Sequence, residues 1–388
     1  MCIKCIRWLY VKKIMVVFLT LVVFLSKICV YAEEDISITS TSAILIEKST
    51  KRILYAKNER KKVKIASTTK VLTAIVAVEN ASLEDKVIIS KNAASVGGSR
   101  IGLKKGDEVS LEALMYGMLL KSGNDCAVAI AEHIAGSTEE FAKMMNEKAC
   151  EIGAKDTVCT NPHGLDTEKN CSTAYDLALI MCYANNNEDI SKILGTKSIT
   201  VYFGNTPKYL ANTNRLLSTY EYCTGGKTGF TNGANRCLVA TAKKDDLELV
   251  AVILGAETTD IRFSETKKLL EYGARNYTMT DVSDKINWYI DIPIIKGNIK
   301  SYTKKFKISQ KLPLKENEIE EIYLSQNILP VIEAPENKGM YIGNIQLLIK
   351  NEMLYKKNVY LDEDIKKNNV LDYILIGLKQ ILNFNLAF

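Results

Sequence analysis

Three short motifs in this chain combine residue types that can carry out nucleophilic chemistry. They are Ser67-Thr68-Thr69-Lys70, Ser122-Gly123-Asn124 and Lys227-Thr228-Gly229, in that order along the chain. A serine hydroxyl is a weak nucleophile until a neighbouring group removes its proton. A lysine amine can remove it only when the amine is uncharged. The motifs therefore indicate acyl transfer by a serine, with a lysine as the base.

The spacing within the first motif places the two groups within reach of each other. If Ser67 starts a helix, Lys70 lies one turn later on the same face. The helix N-terminus would favour the negative charge that develops on the serine oxygen. Burial and a second cation, for which Lys227 is the candidate, would lower the pKa of Lys70.

The order of the motifs along the chain indicates which matches to each pattern can belong to one active site. The pattern S-x-x-K also occurs at 264–267 and 301–304, and S-x-N also occurs at 90–92 and 325–327, whereas K-T-G occurs once. Both additional S-x-x-K matches follow the K-T-G. Among the S-x-x-K matches only Ser67 therefore precedes Lys227 as this chemistry requires, and we assign the second motif to Ser122.

The elements around the motifs predict strands first, then helices, then strands again. Residues 43–46 and 52–55 flank a polar turn and predict a hairpin, as do 238–242 and 247–254. A helix over about 262–272 follows the second hairpin. This order predicts an α+β fold, with a mainly antiparallel sheet faced by helices.

The helices between these hairpins are predicted from apolar spacing and from capping residues. The segment from Thr69 to Val78 is apolar on almost every side, so we prefer a buried helix to the strand that its Val, Ile and Thr content would also suit. Four further helices are predicted: an amphipathic one from Ser110 to about 119, one over 127–135, one from Ser137 to about 153, and one from Ser172 or Thr173. Ser122 then lies between two helices, and Lys227 lies just before the sheet.

The N-terminus has the features of a signal peptide over residues 1–32. A basic start is followed by a short apolar run, 14–26, and by Val30-Tyr31-Ala32. An uncleaved spanning helix is the alternative, but the run is short and Lys27 interrupts it. Five of the 51 basic residues lie in this segment, so 46 basic and 45 acidic residues remain, a net charge of +1. No basic patch favours nucleic acid as a partner.

The C-terminal part of the chain changes character at about residue 277. Short β-rich runs at 288–295, 304–308 and 342–349 alternate with charged turns, which predicts a small β domain over 280–362. The stretch 368–388 is apolar with polar residues on one side. It is typical of an interfacial amphipathic helix and a possible membrane anchor, or of a terminal helix packed on its own domain.

Cysteine and histidine usage argues against a metal site and against a histidine base. Seven cysteines remain after residue 32, an odd number without C-x-x-C pairs, so we interpret most of them as small buried hydrophobes. His133 falls within a predicted helix and is expected to be structural. His163 is expected to shape a loop. We expect neither a metal ion nor a cofactor.

With these motifs in this order, the chain resembles the low-molecular-mass penicillin-binding proteins, specifically the serine-type D-alanyl-D-alanine carboxypeptidases. The resemblance covers roughly residues 38–275. Beyond the three motifs it includes Leu120-Lys121-Ser122-Gly123-Asn124-Asp125, Asn161-Pro162-His163-Gly164-Leu165 and Gly226-Lys227-Thr228-Gly229-Phe230-Thr231. It implies a β-lactamase/transpeptidase-like catalytic domain, for which we expect the bounds 33–276, and a weaker match over 334–343 resembles the C-terminal β domain of the family.

The resemblance also implies a role for each motif residue. Ser67 would attack the carbonyl of the penultimate D-Ala, Lys70 would take its proton, and Ser122 would relay a proton to the departing D-Ala amine. A second set of residues would bind the substrate: Asn124, Lys227, Thr228, Gly229, Phe230 and Arg262. In that set Lys227 and Thr228 would engage the terminal carboxylate, and the N–H groups of Ser67 and Phe230 would form the oxyanion hole. Arg262 could equally be a surface helix residue.

The expected function is removal of the terminal D-Ala from peptidoglycan stem pentapeptides by an exported enzyme at the outer face of the cytoplasmic membrane. β-lactam antibiotics are expected to acylate Ser67. The alternatives are a serine β-lactamase of the same fold, a non-catalytic cell-wall binding protein and a D,D-endopeptidase. No convincing E-x-x-L-N segment, which a class A β-lactamase would use for deacylation, lies between Ser122 and Lys227.

Overall fold

The structure is a computed structural model, and it describes residues 36–283, 287–307, 309–375 and 378. The predicted signal peptide lies outside the described residues, as does most of the predicted C-terminal helix beyond residue 375. The chain from Ile38 onward forms one compact unit. Within it two separate hydrophobic cores can be distinguished, one before and one after residue 278.

The helix-and-sheet region, residues 38–277, contains nine helices and nine strands among the described residues. In chain order they are β1 (Ser42–Glu47), β2 (Ile53–Lys57), α1 (Lys70–Asn80), β3 (Lys86–Ile88), α2 (Lys91–Ser95), β4 (Glu108–Ser110), α3 (Leu111–Lys121), α4 (Asn124–Ala135), α5 (Thr138–Ile152), α6 (Ala174–Ala184), α7 (Glu188–Gly195), β5 (Ser198–Phe203), β6 (Thr206–Ala211), α8 (Leu216–Thr219), β7 (Cys223–Thr231), β8 (Asn235–Lys244), β9 (Leu247–Ala256) and α9 (Thr259–Asn276).

The main sheet has five strands in the order β2-β1-β9-β8-β7, and each neighbouring pair is antiparallel. Both faces of the sheet are covered by helices. Helix α9 packs on the face that carries Leu45 and Leu249, while Ile44 and Val252 on the opposite face belong to the core shared with the other helices. Coverage on both faces explains why the sequences of β8 and β9 are apolar almost throughout. The predicted α+β fold and both predicted hairpins are confirmed.

Helix α1 lies at the centre of the helical layer, in contact with α3, α4, α5 and α6. Every residue from Lys70 to Ala77 is buried, which confirms the buried helix and excludes the strand alternative. The predicted caps are also observed at three other helices, where Ser110, Ser137 and Thr173 accept hydrogen bonds from the backbone.

Two expectations about the surroundings of the motifs are wrong. Helix α3 is not amphipathic, because only Glu112 and Lys121 are exposed along it. Its second face is covered by the β5–β6 hairpin, which the sequence patterns did not predict. Lys227 does not precede the sheet but lies within its edge strand, β7.

The β-rich region begins at residue 278. Its strands are β10 (Thr278–Asp281), β11 (Asn287–Ile295), β12 (Ser301–Lys307), β13 (Lys311–Leu314), β14 (Ile322–Ile328), β15 (Ile332–Glu333), β16 (Tyr341–Ile349) and β17 (Glu352–Tyr360). They form two three-stranded sheets, β12-β11-β15 and β14-β16-β17, and the β10-β13 pair. All three predicted runs are strands here, although the second one begins earlier than expected.

A short helix over 370–375 follows this region, and all of its residues except Asp372 are apolar. Val370 and Leu371 are 76% and 69% exposed. Within the described part of the chain, no helix has both the length and the apolar character that crossing a membrane requires.

Candidate active site

Ser67 lies in a single 3-10 turn, Ala66–Thr69, which runs directly into helix α1. The turn is held by its own side chains, because the hydroxyls of Thr68 and Thr69 donate to the carbonyls of Ile65 and Ala66. Ala66 adopts a φ of 51°, which is uncommon for a residue with a Cβ. The local sequence thus presents Ser67 at the N-terminal end of a buried helix, close to where it was predicted.

The side chain of Lys70 points back towards this turn, and its amine forms three hydrogen bonds. Its Nζ lies 2.8 Å from Ser67 Oγ, 2.7 Å from Asn124 Oδ1 and 2.7 Å from the carbonyl oxygen of His163. The residue is completely buried, and among the described residues no carboxylate pairs with its amine. Burial, and after it the charge of Lys227, holds the pKa of Lys70 well below its usual range.

The loop Asn161–Leu165 supplies a backbone carbonyl to this pair. The carbonyl oxygen of His163 accepts from Lys70 and, at 3.4 Å, from Ser67 Oγ. The loop must approach closely, since a Cβ on Gly164, whose φ is +82°, would lie 2.0 Å from the carbonyl oxygen of Ala66. Glycine is therefore required there for steric and conformational reasons.

The imidazole of His163 is directed to its own loop, where Nδ1 accepts a hydrogen bond from the Leu165 N–H. Burial, followed by the charge of Lys70, lowers the pKa of His163 to about 3. The ring is therefore uncharged at neutral pH. His133 lies away from the site, on α4, with its Nε2 3.5 Å from Asp85.

Ser122 and Lys227 form the second pair of the site. Ser122 ends helix α3 in a left-handed conformation, with a φ of 63°. Lys227 Nζ donates to Ser122 Oγ at 3.0 Å and to the carbonyl oxygen of Thr228 at 2.7 Å. Lys227 is also completely buried. Burial, and then the charge of Arg262, lowers its pKa to about 7.

Asn124 connects the amine of Lys70 with a neighbouring loop. It begins helix α4, accepts from Lys70, and donates through Nδ2 to the carbonyl of Gly97 at 2.7 Å. The next residue, Asp125, accepts from the backbone N–H groups of 101, 102 and 103. The buried carboxylate thereby holds the loop 97–103 against the start of α4.

The edge strand β7 lies directly against the Ser67 turn. A Cβ on Gly229 would lie 3.0 Å from the Ile65 carbonyl oxygen and 3.1 Å from the Ser67 nitrogen, which shows how closely the two backbones approach. The hydroxyl of Thr228 shares a 2.7 Å hydrogen bond with that of Thr213. Phe230 is half exposed and lies under the guanidinium of Arg236.

Arg262 is buried on helix α9 rather than exposed on its surface. Its Nη1 donates to the carbonyl of Gly229 at 3.3 Å, and its Nε has no hydrogen-bond partner among the described residues. Burial lowers its pKa to about 10. Arg262 is thus a cation with spare hydrogen-bonding capacity next to the strand that carries Lys227.

The structure therefore brings all nine predicted site residues to one place. Sequence reasoning missed three contributors: Thr213, Asp125 and the backbone carbonyl of His163. The first has no local signal, because it reaches Thr228 only through the tertiary fold. The carbonyl could not be predicted from a side-chain pattern. Asp125 lies in the motif that runs from Leu120 to Asp125, but the motif itself did not indicate its role.

No cluster of three or more His, Cys, Asp or Glu side chains that could hold a metal ion occurs in the described part of the chain. Its seven cysteines are all unpaired, and four of them are buried. The arrangement offers two hydroxyls, each hydrogen-bonded to a buried amine: Ser67 with Lys70 and Ser122 with Lys227. Together with the α+β fold, it defines the class of protein as a serine hydrolase whose reactive serine contacts a lysine.

Comparison with known proteins identifies the family. Residues 29–258 match the peptidase S11 family, described as D-alanyl-D-alanine carboxypeptidase. The chain is 35% identical over 344 residues to D-alanyl-D-alanine carboxypeptidase DacF of Bacillus subtilis, with 86% of this chain and 87% of that protein covered. It is 29% identical over 389 residues to DacC of Escherichia coli, with 90% and 92% covered.

Solved structures agree with these relatives. The crystal structure of penicillin binding protein 5 from Haemophilus influenzae superposes with a TM-score of 0.75 at 27% identity, over 86% of this chain and 99% of that one. The D-alanyl-D-alanine carboxypeptidase DacD from Francisella tularensis gives a TM-score of 0.70, also at 27% identity, over 86% and 95%.

The chain belongs to the D-alanyl-D-alanine carboxypeptidase family. It is a low-molecular-mass penicillin-binding protein and a serine-type D-Ala-D-Ala carboxypeptidase that removes the terminal D-Ala from peptidoglycan stem pentapeptides. The predicted function and fold are thus confirmed. The family to which it belongs binds peptidoglycan peptides and β-lactams.

Proposed function

We propose that the chain performs this hydrolysis through an acyl-enzyme on Ser67, with Lys70 as the general base. The observation that carries the proposal is the 2.8 Å contact between Lys70 Nζ and Ser67 Oγ, made by an amine that is completely buried. Burial, and after it the charge of Lys227, lowers the pKa of Lys70 and so favours the uncharged amine, the form that can accept the serine proton.

The first half of the reaction forms an ester. Ser67 Oγ attacks the carbonyl of the penultimate D-Ala while its proton passes to Lys70 Nζ. The backbone N–H groups of Ser67 and Phe230 stabilise the oxyanion, a donor pair whose members are each worth about 2.7–4 kcal/mol. The C–N bond then breaks, and the proton taken up by Lys70 passes through the Ser122 hydroxyl to the leaving D-Ala nitrogen, so that Lys70 is uncharged again. Ser122 Oγ is held by a 3.0 Å hydrogen bond from Lys227 Nζ.

The second half consumes water. A water molecule attacks the ester carbonyl and gives its proton to Lys70, and Ser67 Oγ leaves as the hydroxyl. Asn124, bonded to Lys70 through Oδ1 and to Gly97 through Nδ2, keeps the amine directed at Ser67 throughout both halves.

The terminal carboxylate of the substrate is held by the cations and the hydroxyl of strand β7 and helix α9. Lys227 supplies charge, and Thr228 donates its hydroxyl proton to the carboxylate, with Thr213 as the donor in the 2.7 Å hydrogen bond that the two hydroxyls share. Arg262, whose Nη1 donates to the carbonyl of Gly229, adds a second positive charge beside the strand. Gly229 permits the substrate backbone to lie along the strand. Such a site requires a free C-terminal carboxylate, as a carboxypeptidase does.

The test uses diacetyl-L-Lys-D-Ala-D-Ala with the purified chain and with Ser67→Ala. We expect D-Ala release by the wild type and at least a 10³-fold lower rate for the variant. A labelled penicillin should bind covalently to the wild type only. Equal labelling of Ser67→Ala would remove Ser67 from its proposed role.

We further propose the organisation of the whole chain. Residues 1–32 act as a cleaved signal, 33–276 and 280–362 form two domains, and the exported protein attaches to the outer face of the membrane through 368–388. The exposed apolar residues of 370–375 support the last point. Vesicle flotation of the chain, compared with a version ending at residue 367, tests it, and equal flotation would contradict it.

A further inference from the structure

The sheet β14-β16-β17 has one face that covers the second core and one that faces solvent. Ile345, Leu347 and Ile349 of the central strand point inward and are buried. Because side chains alternate along a strand, their neighbours point outward. The outward side chains that we call the amide face are Asn327, Asn344, Asn358, Gln346, Tyr341 and Tyr360.

Three asparagines lie side by side across the three strands. Asn327 pairs with Asn344, and Asn344 pairs with Asn358. Since adjacent strands are about 4.8 Å apart, the row is roughly 10 Å wide. A sheet row made only of asparagines is unusual, because this residue is depleted in strands.

The side chain of the central asparagine is held by hydrogen bonds within the sheet, whereas those of the outer two are available to bind a ligand. Asn344 is only 6% exposed; its Nδ2 donates to the Tyr341 hydroxyl and its Oδ1 accepts from Gln346 Nε2, each at 3.0 Å. Asn327 and Asn358 are exposed, and neither side chain forms a hydrogen bond with another described residue. Each offers two donor hydrogens and an acceptor oxygen at a set spacing.

An aromatic pair lies next to the asparagine row. The rings of Tyr341 and Tyr360 pack edge to face, with centroids 5.6 Å apart, and both residues are 48% exposed. A tyrosine ring combines a flat apolar surface with a polar hydroxyl at its end. Such a pair can hold a ring-shaped ligand that is apolar on one face and polar at its edges.

The charge of this surface narrows the choice of ligand. Among the outward side chains of 323–327, 344–348 and 353–358, only Lys356 is charged, although 25% of the whole chain is charged. An anionic polymer or an anionic lipid surface would require several cations. The face instead matches an uncharged ligand that carries amide groups and rings.

We propose that the amide face binds the glycan strand of peptidoglycan, a chain of linked sugar rings that carry N-acetyl groups. The acetamido groups pair with the side chains of Asn327 and Asn358, and a sugar ring lies on the tyrosine pair. The choice of this glycan rests on the carboxypeptidase function, because stem pentapeptides are attached to it. Binding the strand would raise the local concentration of stem peptides around Ser67.

The test measures binding of the full chain carrying Ser67→Ala to two uncharged probes. They are the hexamer of N-acetylglucosamine and insoluble peptidoglycan freed of its stem peptides, with the lactyl carboxylates that this removal exposes converted to amides. We expect binding to both. The double variant Asn327→Ala/Asn358→Ala, and separately Tyr360→Ala, should weaken both by at least about tenfold. The matched control is Tyr289→Ala/Thr303→Ala on the exposed face of the other three-stranded sheet, which should bind as the parent does.

Failure of the parent to bind either probe would overturn the proposal, and so would equal binding by the amide-face variants and the control. Binding that requires stem peptides on the glycan would also overturn it, since the contact would then be with peptide. The proposed chemistry of Ser67 is tested independently, because D-Ala release from the soluble tripeptide involves no sugar and should be unchanged in the Ser67-containing amide-face variants.

Discussion

Two regions of this molecule bury cations, and they treat them in opposite ways. In the Ser67 site, Lys70 and Lys227 are completely buried and hydrogen-bonded only to hydroxyl, amide and carbonyl oxygens. At the junction with the β-rich region, Arg52 is 8% exposed and is surrounded by carboxylates. Removing a charge from water is unfavourable. Carboxylates compensate for this at Arg52, whereas no carboxylate does so at Lys70 and Lys227.

The partners of Arg52 come from the β-rich region. Its guanidinium donates to both carboxylate oxygens of Glu318, at 2.8 Å each, to those of Glu352 at 3.0 and 2.9 Å, and to the carbonyl of Pro313. Burial opposes the charge of Arg52, but its two acidic partners outweigh burial and raise the pKa of the guanidinium. A buried cation that is paired with carboxylates holds structure together, whereas one without a carboxylate has a lowered pKa and is available for chemistry.

The largest expected effect comes from removing the unpaired cation. Lys70→Met keeps a long unbranched side chain but has no proton acceptor. We expect the rate of Ser67 acylation by penicillin to fall by at least about 10⁴-fold, because the hydroxyl loses its base. Stopped-flow or gel-based labelling measures it. Lys143→Met, on the exposed face of α5, is the control and should change the rate less than twofold.

Removing the paired cation should change stability but not chemistry. Arg52→Met leaves Glu318 half buried without its partner, so we expect the free energy of unfolding to fall by about 2–4 kcal/mol. Denaturant titration measures the loss. The exposed pair Lys243–Glu248 supplies the control, since Lys243→Met should leave the midpoint of the denaturant titration unchanged within experimental error. A drop in kcat per folded molecule of more than about threefold would show that the two regions are coupled.

The loop that supplies the His163 carbonyl should be sensitive to a single methyl group. Gly164→Ala puts a Cβ 2.0 Å from the Ala66 carbonyl oxygen, so either the loop or the Ser67 turn must move. We expect acylation to fall by about 10²-fold. Gly136→Ala is the matched control, because its φ of +76° is similar but its Cβ would meet open space; it should lose only the about 1–2 kcal/mol of left-handed strain. Equal acylation by the two variants would show that the close approach is unimportant.

The smallest expected effect is a decline of kcat/KM with rising pH. A lysine is charged below its pKa, so Lys227, with a pKa lowered to about 7, loses its charge in the free enzyme as the pH rises above that value. We expect kcat/KM for the tripeptide to decline by up to about tenfold per pH unit above about pH 7. Lys227→Arg should move this decline beyond about pH 9, because arginine stays charged. An unchanged decline would assign it to another group.

The parts of this molecule that could be predicted are those encoded locally. The i to i+3 spacing of Ser67 and Lys70, the apolar run of α1 and the polar turns of both hairpins each depend on a few adjacent residues. Their order along the chain was enough to predict the α+β fold. The capping serines and threonines marked the starts of three helices for the same reason.

The parts that could not be predicted depend on packing between distant segments. Strand β7 carries Gly225, Gly226 and Gly229, which disfavour a strand, and it is held in the sheet by pairing with β8. The burial of α3 on two sides required knowledge of the β5–β6 hairpin. The contact of the His163 carbonyl with Lys70 spans 93 residues, and no side-chain pattern encodes it.

The central claim is that Lys70 is an uncharged amine at neutral pH because it is buried beside Lys227 without a carboxylate. The most direct measurement is an NMR titration of the lysine ζ-nitrogens in the full chain, with the Lys70→Met variant to assign the signal. We predict one resonance that titrates far below the ordinary lysine pKa of about 10.4 and is absent from the variant. A Lys70 signal that titrates near that ordinary value would contradict the account.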